Sequence, residues 1–137
     1  MIRGYVRYFL SKNVKARKKI LVIDDDRVIR RLLFSCLRKQ GFKVIIAKDG
    51  RKGLKKVRQL LPDLVILDLM LPKLPGEEVC REIRRDQNNV PIIMLTGKDK
   101  DVDRVVGKVI GANSYITKPF DLPKLMEEVD SLIGEHR

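Results

Sequence analysis

The sequence predicts an α/β fold, a three-layer, doubly wound sheet of five parallel strands, and three observations carry that expectation. Short apolar runs alternate five times with segments of helical periodicity. Two of the runs, 64–67 and 92–95, are apolar at every position, the pattern of strands covered by helices on both faces. At 137 residues the chain has the size of a single domain. Repeated strand–helix–strand units of this length need right-handed crossovers, and therefore parallel pairing.

Residues 1–17 read as a basic leader ahead of a domain at 18–137. Residues 1–19 hold seven Lys and Arg and no acid, so the rest of the chain carries only +5 of the net +12. The leader is not a secretory signal, because its apolar core is short, is interrupted by Arg7 and lacks a small-residue cleavage pattern. Drawn as a helix, it puts Ile2, Val6, Phe9 and Leu10 opposite Arg3 and Arg7. Its expected place is against the domain or a second copy, with an acidic partner, an anionic membrane surface or DNA as alternatives.

The expected strands are 20–23, 43–47, 64–67, 91–95 and 114–117. Between them Val28, Ile29, Leu32, Leu33, Cys36 and Leu37 form a helical apolar stripe, followed by shorter ones at Leu54, Val57 and Leu60 and at Val79, Cys80 and Ile83. Two more stripes run through Val102, Val105, Val106, Val109 and Ile110, and through Leu122, Leu125, Met126, Val129, Leu132 and Ile133. Gly41, Pro62, Gly111 and Gly134 punctuate helix ends. The leading topology is flavodoxin-like, with strand order 2-1-3-4-5.

Composition excludes several classes. No apolar stretch approaches the roughly 20 residues of a membrane span. Cys36 and Cys80 form no CxxC and have no neighbouring histidine, so they read as reduced, core-packed thiols, and His136 reads as a tail residue. A basic cluster at Lys48, Arg51, Lys52, Lys55, Lys56 and Arg58 has no interleaved aromatics and reads as a solvated helix face.

Chemistry gathers at the strand ends. Asp24, Asp25 and Asp26 follow the first strand, Asp68 follows LVIL, Thr96 ends PIIMLT, and Lys118 ends the fifth strand. Asp26 suits the N-cap of the next helix, which leaves two acids ahead of it without a capping role. In a parallel sheet Asp24, Asp25, Asp68, Thr96 and Lys118 converge on the edge where open α/β sheets bind ligands. Three clustered carboxylates repel by about 3 kcal/mol per pair at about 5 Å and an effective dielectric of about 20. A hard divalent cation relieves that, and an oxygen-only donor set points to Mg²⁺ or Mn²⁺ over zinc. A hydroxyl and an ammonium beside them suit a phosphoryl group, with a carboxylate oxygen in line as nucleophile. Pro119 constrains the direction of Lys118 through a peptide bond open to the cis form.

The segments ILVIDDD, LVILDLMLPKLPGEE, PIIMLTG and GANSYITKPF together resemble the receiver domain of two-component response regulators, over about residues 18–134. The resemblance implies Asp68 as phosphoacceptor and metal ligand, Asp25 as direct Mg²⁺ ligand, Asp24 acting through water, and the Met70 backbone carbonyl completing the protein's share. It implies that Thr96 and Lys118 bind phosphoryl oxygens and that Tyr115 changes rotamer as Thr96 is drawn in, against a plain half-buried strand tyrosine as the alternative. It also implies a cytoplasmic signalling phosphoacceptor rather than an enzyme, with autophosphorylation and autodephosphorylation at most. The implied partners are a sensor histidine kinase or phosphotransfer protein and a phosphorylation-dependent homodimer. The implied output face is formed by the 102–110 helix, the fifth strand and the last helix. DNA contact is expected only through an output domain outside these residues or through the leader. Asn113 and Ser114 stand where relatives often have acids, and Lys73 with Pro75 makes the loop after Asp68 more basic and stiffer than usual.

Two rival readings are weaker. A dehalogenase-like phosphatase needs a second acid two residues after its nucleophile, where Met70 stands. A flavodoxin-like FMN binder needs a Ser/Thr/Gly phosphate loop after the first strand, where only acids stand. The chain reads equally as a stand-alone receiver or as part of a longer regulator.

Overall fold

The computed structural model describes residues 18–97 and 111–133. They form β1 (Lys19–Ile23), α1 (Arg27–Lys39), β2 (Lys43–Ala47), α2 (Gly50–Leu60), β3 (Leu64–Asp68), α3 (Gly76–Arg85), β4 (Ile92–Thr96), β5 (Ser114–Thr117) and α4 (Leu122–Ile133). All four strand pairs are parallel and the order is β2-β1-β3-β4-β5, as expected. The leader, the stripe at 102–110, Gly134 and His136 lie outside the described residues.

Strand alternation divides the core in two. Leu21, Ile23, Val65, Leu67, Ile92 and Met94 face α2 and α3, where Val57, Val79, Cys80 and Ile83 complete one cluster. Ile20, Val22, Leu64, Ile66, Ile93 and Leu95 face the other way, onto Leu33 and Leu37 of α1 and Leu125, Val129 and Ile133 of α4. Both β3 and β4 are buried at every position. Burial on two faces therefore accounts for the absence of alternation in those runs.

Three expectations need correction. In α1 the sheet-facing row is Ile29, Leu33 and Leu37 at four-residue spacing, while Val28 and Leu32, one position earlier, are 72% and 41% exposed. A helix with one sheet edge beneath it buries a narrow row, not the full stripe. Leu60 at the end of α2 is likewise exposed, and Cys36 is only half-buried, although Cys80 is fully buried as expected. The ladder also runs further than the apolar runs. Asp68 pairs with Leu95, and the Leu69 amide donates to the Leu95 carbonyl at 2.9 Å, so Asp68 and Thr96 are the last rungs of their strands.

The helix ends follow local chemistry. Asp26 Oδ1 accepts from the amides of Val28 and Ile29, and Asp49 Oδ1 accepts from the Lys52 amide, each as an N-cap. Gly41 at φ 104° turns the chain out of α1. Leu61 takes the left-handed conformation (φ 47°) at the end of α2, immediately before Pro62.

Candidate functional site

The C-terminal ends of β1 and β3 lie side by side in the sheet, and this brings the two buried acids together. Asp24 is fully buried, and its Oδ1 accepts from the Asp26 amide at 2.9 Å. Its backbone is fixed twice, since its amide donates to the Ala47 carbonyl at 3.1 Å and its carbonyl accepts from Arg30 Nη1 at 2.9 Å. Asp68 is 5% exposed, and its Oδ1 accepts from the Met70 amide at 3.2 Å. Asp25 is exposed, and one carboxylate oxygen from each of Asp24, Asp25 and Asp68 lies within 4.8 Å of the others.

Lys118 arrives from the end of β5, two strands away from β3. Its Nζ donates to Asp68 Oδ2 at 3.2 Å and stands 2.9 Å from Asp24 Oδ2, the latter an ion pair without a well-aligned hydrogen bond. The Lys118–Pro119 bond is cis. One ammonium thus serves two carboxylates. Burial pushes Asp68 up and the charge of Asp24 pushes it further, to about 6, although Lys118 and the Met70 amide pull the other way. Burial alone lowers Lys118, but the close carboxylates of Asp24 and then Asp68 outweigh it and the net shift is upward.

Thr96 is 1% exposed at the end of β4, and its Oγ1 has no hydrogen-bond partner. An unsatisfied buried hydroxyl is costly. Tyr115 on β5 is half-buried and packs against the core beneath α2 and α3. Met70 is 74% exposed on the loop after β3. That loop lines an open cleft of about 540 Å³ with Asp25, Leu71, Pro75 and Glu77. The expected residues Asp24, Asp25, Asp68, Thr96, Lys118 and Met70 are therefore placed at this end of the sheet.

Two supports have no conspicuous signal in the sequence. The first is a pair of glycines that let backbone approach backbone. A Cβ on Gly76 would lie 2.2 Å from the Asp68 carbonyl oxygen, and one on Gly50 would lie 1.9 Å from the Leu74 carbonyl oxygen. Together with Gly76 donating to the Leu69 carbonyl and Lys73 at φ 72°, they pin the loop that carries Met70. The second is a clasp at the far ends of β4 and β5. Arg84 donates to the carbonyls of Asn88, Val90 and Gly111, and Asn113 Oδ1 accepts from both Arg84 Nη2 and the Ile92 amide.

The donor set fits a hard divalent cation. All three candidate side chains offer oxygen, two of them are buried and mutually repulsive, and the third is open to solvent as a way in. No sulfur or imidazole accompanies them among the described residues.

A profile of the response regulator receiver domain matches residues 20–130. The alkaline phosphatase synthesis transcriptional regulatory protein PhoP of Bacillus subtilis is 46% identical over 116 residues, which are 85% of this chain and 48% of that protein. This chain therefore spans about half the length of that relative. Among solved structures, the response regulator TrrA of Thermotoga maritima, in complex with Mg²⁺-BeF, superposes with a TM-score of 0.76 at 36% identity, covering 85% of this chain and 99% of that one. The receiver domain of Ssk1 of Saccharomyces cerevisiae, crystallised with the histidine phosphotransfer protein Ypd1, gives 0.80 at 26% identity, covering 84% and 88%.

Proposed function

Because this chain belongs to the response regulator receiver domain family, we propose that Asp68 is the residue through which it works, accepting a phosphoryl group and later losing it to water. The chain is a receiver domain of two-component signalling. The observation that carries the residue-level reading is the Asp24–Asp68–Lys118 cluster. It holds a buried carboxylate beside a cation and a second acid, at the strand end where an unsatisfied hydroxyl also sits, and Asp25, the third acid of the group, lines an open cleft.

In this reading an Asp68 carboxylate oxygen attacks the phosphorus of a phosphohistidine. The P–N bond breaks, its electron pair stays on the imidazole, and an acyl phosphate forms on Asp68. Lys118 holds one phosphoryl oxygen as a charge-assisted donor, and the Thr96 hydroxyl gains the acceptor it lacks. Asp25, Asp68 and the Met70 carbonyl are the groups to hold Mg²⁺, with Asp24 acting through water and Mn²⁺ as a substitute. The ion supplies positive charge against the phosphoryl oxygens. Hydrolysis returns the carboxylate and inorganic phosphate. Chemistry beyond this self-phosphorylation and self-dephosphorylation is not expected, so the domain signals and does not turn over a separate substrate.

The partner proposed is a sensor histidine kinase or a phosphotransfer protein, by analogy with the Ypd1 complex of Ssk1. Residues 18–137 are proposed as the receiver unit and 1–17 as its leader. Thr96 and Tyr115 are proposed to couple the site to the β5–α4 face, with a homodimer on phosphorylation as one output. Sequence-specific output on DNA is proposed to run through a domain outside these residues, with the leader as the weaker alternative. No helix among the described residues is long and apolar enough to cross a membrane, and the cytoplasm is the proposed location.

Acetyl phosphate or phosphoramidate with Mg²⁺ is expected to add the mass of one phosphoryl group to the chain and none to Asp68→Asn. Equal labelling of both proteins would overturn the assignment.

A further inference from the structure

The chain's positive charge is concentrated on one side of the fold. Residues 27–62 hold twelve Lys and Arg against one acid, a net +11, whereas the residues after 62 are net negative. The single acid, Asp49, is buried and occupied as the α2 N-cap. In the sequence the cluster at 48–58 reads as a solvated helix face, but the fold brings the arginines of α1 beside it. β2 is the edge strand of the sheet, and α1 and α2 flank it on opposite faces.

On the α1 side, Arg27, Arg30 and Arg31 surround a small hollow of about 230 Å³ floored by Phe34 and Ile46, and Arg38 lies 5.6 Å over the Phe34 ring. On the α2 side, Lys56 Nζ donates to the Ile46 carbonyl at 2.7 Å, which turns that side of α2 towards β2, and Lys52 follows one turn earlier. Lys43 and Lys48 are exposed at the two ends of the strand. Arg27, Arg31, Arg38, Lys43, Lys48 and Lys52 are all exposed, and none forms an ion pair among the described residues. Arg58, further along α2, is instead neutralised by Glu82 and Asp86.

We infer that this edge is a docking surface for the phosphate backbone of duplex nucleic acid, separate from the phosphoryl site. Cations on both sides of a projecting strand form two tracks, the longer following α1 for about 20 Å, with no carboxylate between them to repel a polyanion. A protein partner or a lipid bilayer would demand a substantial apolar centre, and the centre of this surface has only Ile46 and the half-buried Phe34, the exposed Val28 and Leu32 lying on another flank of α1. Attraction to a dense line of phosphates needs none. Recognition of this kind is independent of base sequence and steep in salt.

The test uses the whole chain and fluorescence anisotropy with a labelled duplex of arbitrary sequence, about 20 base pairs long, between about 50 and 200 mM salt. The expected dissociation constant is roughly 10⁻⁴ to 10⁻⁶ M, with affinity falling log-linearly as salt rises. The triple variant Arg31→Gln, Lys43→Gln, Lys52→Gln should bind at least tenfold more weakly, with a salt slope shallower by about 3, at roughly 0.9 per lost phosphate contact. The charge-preserving triple Arg31→Lys, Lys43→Arg, Lys52→Arg should bind like the parent, and both variants should still label with acetyl phosphate, which shows that they fold. Three results would each overturn the inference: no binding at about 50 mM salt, equal binding by the glutamine triple, or tighter binding to phosphatidylglycerol vesicles than to DNA at equal phosphate. The first would leave these cations only the task of keeping the edge strand from pairing with other chains.

Discussion

The ammonium of Lys118 stands 3.2 Å from the carboxylate of Asp68, tying the end of β5 to the end of β3 across the strand between them. It is also 2.9 Å from Asp24, so one positive charge is divided between two buried negative ones. The site is therefore short of positive charge, and most of its expected behaviour follows from that deficit.

The first consequence concerns pH. Asp68 rises from 3.8 to about 6 on folding, so between those values the folded state binds more protons than the unfolded state. Stability contributed by this group is thus full below pH about 4 and is lost as pH rises through about 6, by at most about 3 kcal/mol. Asp68→Asn is expected to be more stable than the parent above that window by about 1–3 kcal/mol, and to lose the advantage below it. Urea unfolding at the two ends of the window checks this.

Mg²⁺ should supply the missing charge. Millimolar Mg²⁺ is expected to raise the midpoint of thermal unfolding, and to raise it more above pH about 6, where Asp68 is ionised, than below pH about 4. Asp68→Asn and Asp25→Asn should each blunt the response, and an equal response in both variants would place the ion elsewhere.

Thr96→Val keeps the shape of the side chain and deletes a buried hydroxyl that has no partner. It is expected to stabilise the resting protein by about 1 kcal/mol. Labelling by acetyl phosphate should nevertheless slow by tenfold or more, because the incoming oxygen loses a donor. Gain in unfolding midpoint together with loss of labelling rate is the signature to look for.

Gly76→Ala would set a methyl group 2.2 Å from the Asp68 carbonyl oxygen, where only backbone can give way. A loss of roughly 2–4 kcal/mol is expected in urea unfolding, with labelling impaired beyond what the residual folded fraction explains.

Asn113 Oδ1 accepts from the Ile92 amide at 2.9 Å and from Arg84 at 3.0 Å. Asn113→Ala leaves a buried amide unpaired and is expected to cost about 1–3 kcal/mol. Asn113→Asp keeps the acceptor and adds charge opposite Arg84, so it should stay within about 1 kcal/mol of the parent. The same unfolding measurement separates the two.

Much of this site was visible in the sequence because it is built at strand ends. Asp24, Asp68, Thr96 and Lys118 each close an apolar run, and parallel pairing alone makes such residues neighbours. The capping role of Asp26 was equally legible, since it depends on two residues downstream. What escaped depends on contacts between distant segments. Nothing near Arg84 in the chain announces that it will gather the carbonyls of Val90 and Gly111. Nothing near Gly50 shows that Leu74 will pass within 2 Å of where its side chain would be. The exposure of Val28 and Leu32 has the same origin, because a stripe reports which positions are apolar but not how wide a floor lies beneath them. The meeting of the 48–58 cluster with the arginines of α1 around β2 is likewise a property of topology, and that cluster alone suggests only a wetted surface.

The amide of Lys118 donates to the carbonyl of Thr96 at 2.7 Å, one residue beyond the last paired rung, Thr96 with Thr117. The two main chains bearing the hydroxyl and the ammonium are thereby stitched together to the ends of their strands. Spreading them apart for a new anion would break that bond, so side-chain torsion is the expected first reply. A message leaving this pocket would travel as a rotated side chain within a rigid frame.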